Sequence, residues 1–133
     1  MKRALLITYL LIYYTGFAQN SDKITTIEFV QILNDNYKET RYYYENNWMA
    51  LREMAIKNNY IHSYDILETP FSQEHPFHIM LITTYKDKPQ HDKREMHFEE
   101  LIKARGALQL MNEKQPKDFR KSVFTKEMVR HWK

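Results

Sequence analysis

The chain has 133 residues, with 20 Lys and Arg against 17 Asp and Glu, no cysteine and only two glycines. The lack of cysteine excludes disulfides and a thiol nucleophile, and two glycines are too few for a glycine-rich phosphate-binding loop. The basic residues are interleaved with acidic ones rather than gathered in a stripe, so we expect no nucleic-acid partner.

The N-terminal residues have the features of an export signal. Lys2 and Arg3 form a short basic start, and an almost unbroken apolar run follows over residues 4–14. Gly16 and Ala18 then supply the small residues that signal peptidase recognises before it cleaves. The apolar run is shorter than the roughly 20 residues that a helix needs to span a bilayer, which favours cleavage over a retained anchor.

These features predict a signal peptide over residues 1–18 and a single mature domain over residues 19–133. The signal peptide carries two of the basic residues, so the mature domain is near neutral in charge. We expect an exported protein, periplasmic or secreted, with no stable membrane anchor after the signal is removed.

Residues 25–33 are rich in β-branched and aromatic side chains with apolar residues at both parities, which predicts a strand buried on both faces. Asn34, Asp35 and Asn36 then supply turn and N-cap residues. From residue 37 to about residue 58, apolar side chains recur at helical spacing, which predicts a long amphipathic helix. The apolar face of this helix carries Tyr37, Tyr44, Trp48, Leu51 and Ala55.

The next segment predicts a β-hairpin. Residues 60–67 alternate between apolar and polar side chains as a strand does. Residues 68–76 contain Pro70 and Pro76, which predict a loop. Residues 77–85 form the most hydrophobic predicted strand of the mature domain, and we expect the two strands to pair.

The last third of the chain predicts a helix and a strand. Asp92 and Glu95 have the spacing of a capping box, which predicts a second helix that ends at about residue 104. A short helix or helical turn is expected before Pro116, which should end it. Residues 120–128 carry apolar side chains among charges and predict a fourth strand.

The resulting order βαββαβ predicts an α+β domain of the ferredoxin-like type, with a four-stranded antiparallel sheet and two main helices on one face. The first three strands are apolar at both parities, so we expect a second subunit to cover the face that the helices leave open. One face is predicted to carry Val30, Ile32, Ile66, Met80 and Ile82. The opposite face is predicted to carry Ile27, Phe29, Leu33, Ile61, Leu67, Ile79 and Leu81.

Four segments resemble the dimeric α/β-barrel superfamily: residues 44–48 (YENNW), residues 60–67, residues 77–87 and the charged strand at residues 120–132. In that superfamily, two ferredoxin-like subunits pack sheet against sheet. Within it, the chain is similar to exported bacterial proteins related to the NIPSNAP-like and antibiotic-biosynthesis-monooxygenase-like groups. The resemblance implies a homodimer and a small-ligand cavity between the helices and the sheet of one subunit, whereas its motifs carry no catalytic signature.

Haem-degrading members of this superfamily resemble one another in an Asn on the first strand, a Trp on the third strand and a His on the second helix. In this chain the first strand offers Thr26 and Glu28, and the third strand offers Tyr85. Only His97 matches the pattern. The resemblance therefore does not imply haem degradation, and we expect no cofactor.

Five side chains are candidates for an apolar pocket with a few polar tips, which is the usual composition of a small-ligand site. They are Tyr44, Trp48, His62, Tyr64 and His78. The first two come from the long helix, and the others come from the two strands of the hairpin. Alternatively, Trp48 only anchors the helix to the sheet.

The six histidines raise the question of a metal site. His62 and His78 have the parity to share one face of the sheet, with His75 on the adjoining loop. His97 and Glu100 stand at i, i+3 on a predicted helix, a spacing that is also found in di-metal helix bundles. These groups are too few for a ligand set, so we predict no metal site and expect histidines that are exposed or hydrogen-bonded.

Two classes of function follow from these observations. The favoured one is an exported protein that binds a small apolar ligand or acts as a dimeric interaction protein, with no assignable reaction. The alternative is an enzyme of the cofactor-independent monooxygenase or isomerase type that acts on a small apolar or aromatic compound. For the alternative, His62, His78 and Glu28 are the candidate acid or base groups.

Overall fold

The computed structural model describes residues 21–132, and the predicted signal peptide lies outside the described residues. The elements are β1 (Ile24–Ile32), α1 (Tyr37–Tyr43), a π-helical segment (Tyr44–Met49), α2 (Ala50–Lys57), β2 (Ser63–Glu68), β3 (Ile79–Tyr85), α3 (Lys88–Asp92), α4 (Arg94–Arg105), α5 (Pro116–Phe119) and β4 (Arg120–Arg130). The first three helical elements form one continuous helix over residues 37–57, which we call the long helix. In the described part of the chain, no helix has the length and apolar character needed to cross a membrane.

The four strands form one sheet in the order β2-β3-β1-β4, and every neighbouring pair is antiparallel. The long helix and α4 lie on the same face of this sheet. The predicted α+β fold of the ferredoxin-like βαββαβ type is confirmed, including the fourth strand from residue 120.

The core lies between the sheet and the helices. β1 and β3 contribute alternate side chains to it, because residues two apart on a strand share a face. One cluster consists of Val30, Ile32, Tyr44, Ile79 and Leu81, and a second consists of Ala55, Ile61, Tyr85 and Leu101. Each large apolar side chain that is buried in this way stabilises the fold by about 1.5–3 kcal/mol.

The register of the sheet corrects the predicted division of its two faces. Val30 lies opposite Ile79, and directly paired residues share a face. Ile79 and Leu81 therefore lie with Val30 on the helix side. Met80 and Ile82 lie on the other side, the reverse of the prediction, because alternation within each strand does not fix the phase between strands. The face away from the helices, which we call the outer face, carries Ile27, Phe29, Leu67, Met80, Ile82 and Phe124.

The π-helical segment in the middle of the long helix was not predicted. The side-chain amides of Asn46 and Asn47 each donate to a backbone carbonyl four residues earlier, at 2.9 Å. These bonds compete with the backbone N–H groups for the same acceptors, which favours a wider helical turn at this point. Arg105 of α4 also donates to the carbonyl of Asn46. The wide turn is therefore held by side chains from two helices.

β2 begins at Ser63, later than the predicted start at residue 60. Asn59 has a left-handed φ of 57°, and the N–H of Tyr60 donates to the carbonyl of Ala55 at 2.8 Å. These features close the long helix in a C-terminal turn and use residue 60 for that purpose. Ile61 then packs into the core on the helix side, which corrects its predicted place on the opposite face.

The capping box predicted at Asp92 is wrong. The capping residue is Asp87, whose Oδ1 accepts the N–H of Gln90 at 2.8 Å at the start of α3. Pro89 favours this earlier start because a first-turn residue needs no N–H partner within the helix. Asp92 ends α3, and its carboxylate accepts a hydrogen bond from Lys88 Nζ at 2.6 Å.

Pro116 begins a helix rather than ending one. It is the first residue of α5, and the carboxylate of Asp118 accepts the N–H of Gln115 at 2.8 Å. The stretch before α5 is not helical and is held by Asn47 of the π-helical segment. The Asn47 side chain accepts the N–H of Gln109 and donates to its carbonyl, both at 2.8 Å. This segment is therefore fixed by the long helix.

Candidate functional site

A groove with a volume of about 620 Å³ lies between the long helix and the β2–β3 half of the sheet. Ile32, Ile66 and Ile79 form its floor on the helix side of the sheet. The long helix contributes apolar and aromatic side chains that include Tyr44 and Met49. The groove thus has the volume and the apolar lining that are typical of a small-molecule site.

The rim of the groove is polar and mainly acidic. Its lining includes the carboxylates of Glu45, Glu53 and Glu68 and one cationic side chain, Arg41. Arg41 pairs with Glu68 at 3.6 Å, and both side chains are largely exposed, so this ion pair contributes little to stability. The excess of carboxylates disfavours an anionic ligand in the groove.

Tyr64 supplies a defined polar tip. Its hydroxyl donates to Glu53 Oε1 at 2.5 Å, across the groove from β2 to the long helix. This hydrogen bond to a carboxylate, together with a smaller effect of burial, raises the pKa of Tyr64 to about 12. The phenol is therefore neutral at physiological pH and is held in one orientation.

The five predicted site residues do not all meet in one cavity. Tyr44 and Tyr64 line the groove, and Trp48 stands beside it with its ring edge-on to Tyr64 at 5.6 Å. His62 is exposed before β2, where its backbone N–H donates to the sheet. His78 lies outside the groove, and its Nδ1 accepts a backbone N–H of β1 at 3.0 Å.

Trp48 contacts a charged residue that was not among the predicted site residues, Arg52. The guanidinium of Arg52 lies 4.1 Å from the centre of the Trp48 ring and 4.4 Å from that of Phe98 on α4. Its Nε donates to Thr83 Oγ1 at 3.4 Å. Burial lowers the pKa of Arg52 to about 10, so the side chain stays protonated at neutral pH. A sequence signal was present, because Arg52 follows Trp48 by four residues and so falls on the apolar face of the helix.

Other polar side chains lie with Arg52 on the helix side of the sheet, and we call this set the Arg52 cluster: Arg52, Thr83, Thr26, Glu28 and Arg120. Thr26 is the register partner of Thr83, and Glu28 Oε1 pairs with Arg120 Nη1 at 3.4 Å. Nε2 of the buried His91 lies 3.5 Å from Thr26 Oγ1. A polar region is therefore built into the layer between sheet and helices, beside the groove and separated from it by Trp48.

The remaining histidines have structural contacts. His97 stacks on Tyr60 with ring centres 3.7 Å apart, and the Tyr60 hydroxyl donates to Glu100 at 3.1 Å. The predicted i, i+3 pair, His97 and Glu100, therefore contacts Tyr60 rather than a metal ion. His75 is exposed on the loop before β3 and lies against Phe77. Within residues 21–132, no group of three or more His, Asp or Glu side chains is arranged to hold a metal ion.

The fold and the groove define a small α+β protein of ferredoxin-like topology with an open, apolar-floored groove under its long helix. No family model, curated protein or solved structure matches the chain.

Proposed function

We propose that this protein binds a small apolar or aromatic molecule in the groove beneath the long helix. The observation that carries the proposal is the groove itself, with a volume of about 620 Å³, an apolar floor and a polar rim. Small-molecule sites occupy roughly 300–1,000 Å³ and combine an apolar lining with a few fixed polar groups. The Tyr64 hydroxyl and the Glu53 carboxylate are the fixed polar groups here.

The acidic rim narrows the class of ligand. A carboxylate or phosphate ligand would be repelled by the glutamates around the groove, whereas a neutral or cationic molecule would not. A hydroxyl or amine on an otherwise apolar ligand has a ready acceptor in Glu53. We therefore propose a neutral ligand that carries one or two hydrogen-bond donors.

Binding without chemistry is favoured over the enzyme alternative by the placement of the candidate acid and base groups. His62 and His78 lie outside the groove, and Glu28 does not line it and is engaged by Arg120. An acid or base must come within hydrogen-bond reach of the group it protonates or deprotonates. None of these three side chains meets that condition for a ligand in the groove.

The proposal is tested with 2-naphthol, a neutral aromatic donor, titrated by calorimetry. Met49 lines the groove, so Met49→Trp is expected to fill it and weaken binding at least about tenfold, since overpacking displaces the ligand. Met96→Trp is the matched control, because Met96 is 60% exposed on α4 and does not line the groove. Equal affinities for the two variants, or no binding by the unaltered protein, would contradict the proposal.

We also propose that the protein is a homodimer in which the outer faces of two sheets pack together. On this face Phe29 stacks on Phe124 with ring centres 4.2 Å apart and contacts Phe77 edge-on at 4.8 Å. Leu67 and Phe124 remain 46% and 41% exposed. Such a sheet face supports face-to-face packing, and a two-fold axis lets the same apolar surface cover itself.

Export is the third part of the proposal and rests on the N-terminal sequence alone. In a bacterial host, the protein recovered from the periplasm or the medium is expected to begin at Gln19, since cleavage should follow Ala18. Intact-mass measurement and N-terminal sequencing check this directly. Protein that keeps residues 1–18 and stays in the cytoplasm would contradict it.

A further inference from the structure

We propose that the Arg52 cluster is a second binding site, separate from the groove, and that Arg52 there holds the carboxylate of a small planar organic acid. The two sites differ in charge and lie on opposite sides of Trp48. This inference does not depend on the proposed function of the groove.

The first argument is that Arg52 is oriented but only partly used. Trp48 and Phe98 hold the guanidinium between their rings, and Thr83 accepts its Nε–H. The terminal nitrogens make no hydrogen bond to any group in residues 21–132, yet they are not sealed from solvent. The edge of the guanidinium formed by its two terminal nitrogens has two parallel N–H donors and is therefore free to bind a carboxylate in bidentate fashion.

The second argument is the lack of an internal counter-ion. Arg52 forms no ion pair with any carboxylate in the described part of the chain. The carboxylate whose charge acts on Arg52 is Glu28, and it is engaged by Arg120 at 3.4 Å. Arg52 is partly buried, and folded proteins normally pair a cation that has lost part of its hydration with an opposite charge. A ligand carboxylate would supply the missing charge.

A third, independent observation comes from Tyr44. Its side chain is only 3% exposed, and its hydroxyl lies close to the Arg120 guanidinium without a hydrogen bond of normal geometry. Burial raises the pKa of Tyr44, and the positive charge of Arg120 partly opposes this effect. An unsatisfied buried hydroxyl beside the Arg52 cluster is a donor available to the same ligand.

The charges of the cluster indicate a monoanion. Arg52 and Arg120 carry two positive charges and Glu28 carries one negative charge, which leaves room for one further negative charge. A phosphate dianion would need more donors and would approach Glu28 at a higher cost. The faces of the Trp48 and Phe98 rings lie against the guanidinium, so a flat apolar group next to the bound carboxylate finds aromatic contacts. An aromatic or conjugated monocarboxylate fits these conditions.

The test uses benzoate as the probe and Trp48 as the reporter. The chain contains two tryptophans, and Trp132 is 97% exposed, so Trp132→Phe leaves Trp48 as the only indole without disturbing the fold. In this background, benzoate is expected to change Trp48 fluorescence in a saturable manner. Arg52→Met should weaken that binding at least about tenfold, because the bidentate contact is lost.

Two further variants make the result specific. Arg52→Lys keeps the positive charge and the aliphatic part of the side chain but lacks the planar guanidinium. This variant is therefore expected to fold normally and to bind benzoate several times more weakly than the unaltered side chain. Arg41→Met removes the same charge at the rim of the groove and is expected to leave benzoate binding unchanged. Met49→Trp should weaken 2-naphthol binding as stated above and leave benzoate binding unchanged. This difference separates failure of this inference from failure of the proposed function.

The inference is overturned if benzoate gives no saturable change up to about 10 mM, where even weak binding with a free energy near −3 kcal/mol would be seen. It is also overturned if Arg52→Lys binds benzoate as tightly as the unaltered side chain. Loss of benzoate binding in Arg41→Met alone would place the anion in the groove and equally contradict it.

Discussion

The Phe124→Asp variant is expected to be a monomer under conditions in which the unaltered protein is a dimer. Phe124 lies on the edge strand β4, stacks on Phe29 on the outer face and is 41% exposed in one subunit. In a sheet-to-sheet dimer, its replacement would bury two unpaired carboxylates, one from each subunit. An unpaired buried charge costs several kcal/mol, so the dissociation constant should rise at least about a hundredfold. Size-exclusion chromatography with light scattering measures the mass directly.

The control for this variant is Ile102→Asp. Ile102 is 52% exposed on α4, on the opposite side of the molecule from the outer face, so this variant is expected to remain a dimer. A monomeric mass for the unaltered protein at about 50 μM would reject the sheet-to-sheet dimer, since specific dimers commonly have dissociation constants well below that concentration. A dimeric Phe124→Asp variant would place the interface elsewhere.

Phe119→Ala is expected to lower the free energy of unfolding by about 3–5 kcal/mol, the usual cost of truncating a fully buried Phe. Phe119 is 0% exposed and packs against Tyr43 of the long helix with ring centres 5.4 Å apart. It stands where α5 joins β4, and its carbonyl accepts the N–H of Leu33 at 2.9 Å. Its ring therefore ties the joint between α5 and β4 to the long helix. Urea unfolding followed by circular dichroism gives the change in free energy.

Phe71→Ala is the matched control for Phe119→Ala. Phe71 is 43% exposed on the loop between β2 and β3, where it stacks on His78. Its truncation is expected to cost less than about 1 kcal/mol, because a partly exposed side chain on a surface loop leaves no closed cavity when it is removed. Equal destabilisation by the two variants would show that Phe119 does not carry the joint between α5 and β4.

The topology could be predicted from the sequence because each main element has a strong local signal. Helical spacing of aromatic residues marks the long helix, and β-branched runs mark β1 and β3. The π-helical segment could not be predicted, because the wide turn is held in part by Arg105 of α4, which is distant in sequence. The phase of β3 was wrong for a related reason, since register is set between strands and not within one.

The candidate site was predicted only in part. Tyr44 and Tyr64 line the groove, because helix and strand periodicity places both side chains on the core side. His62 falls outside because the turn at Asn59 and Tyr60 delays the start of β2. Arg52 was missed because the helical pattern was read from apolar residues alone, although a charge on that face is itself an indication of function.

The most direct test of the ligand site is a set of intermolecular nuclear Overhauser effects between 2-naphthol and protein labelled at Ile and Met methyl groups. Binding in the groove predicts contacts to the methyl groups of Ile32, Met49, Ile66 and Ile79. The outer face carries the same two residue types, at Ile27, Met80 and Ile82. Contacts to the outer-face methyl groups, with none to those of the groove, would contradict the proposal that the protein binds its ligand beneath the long helix.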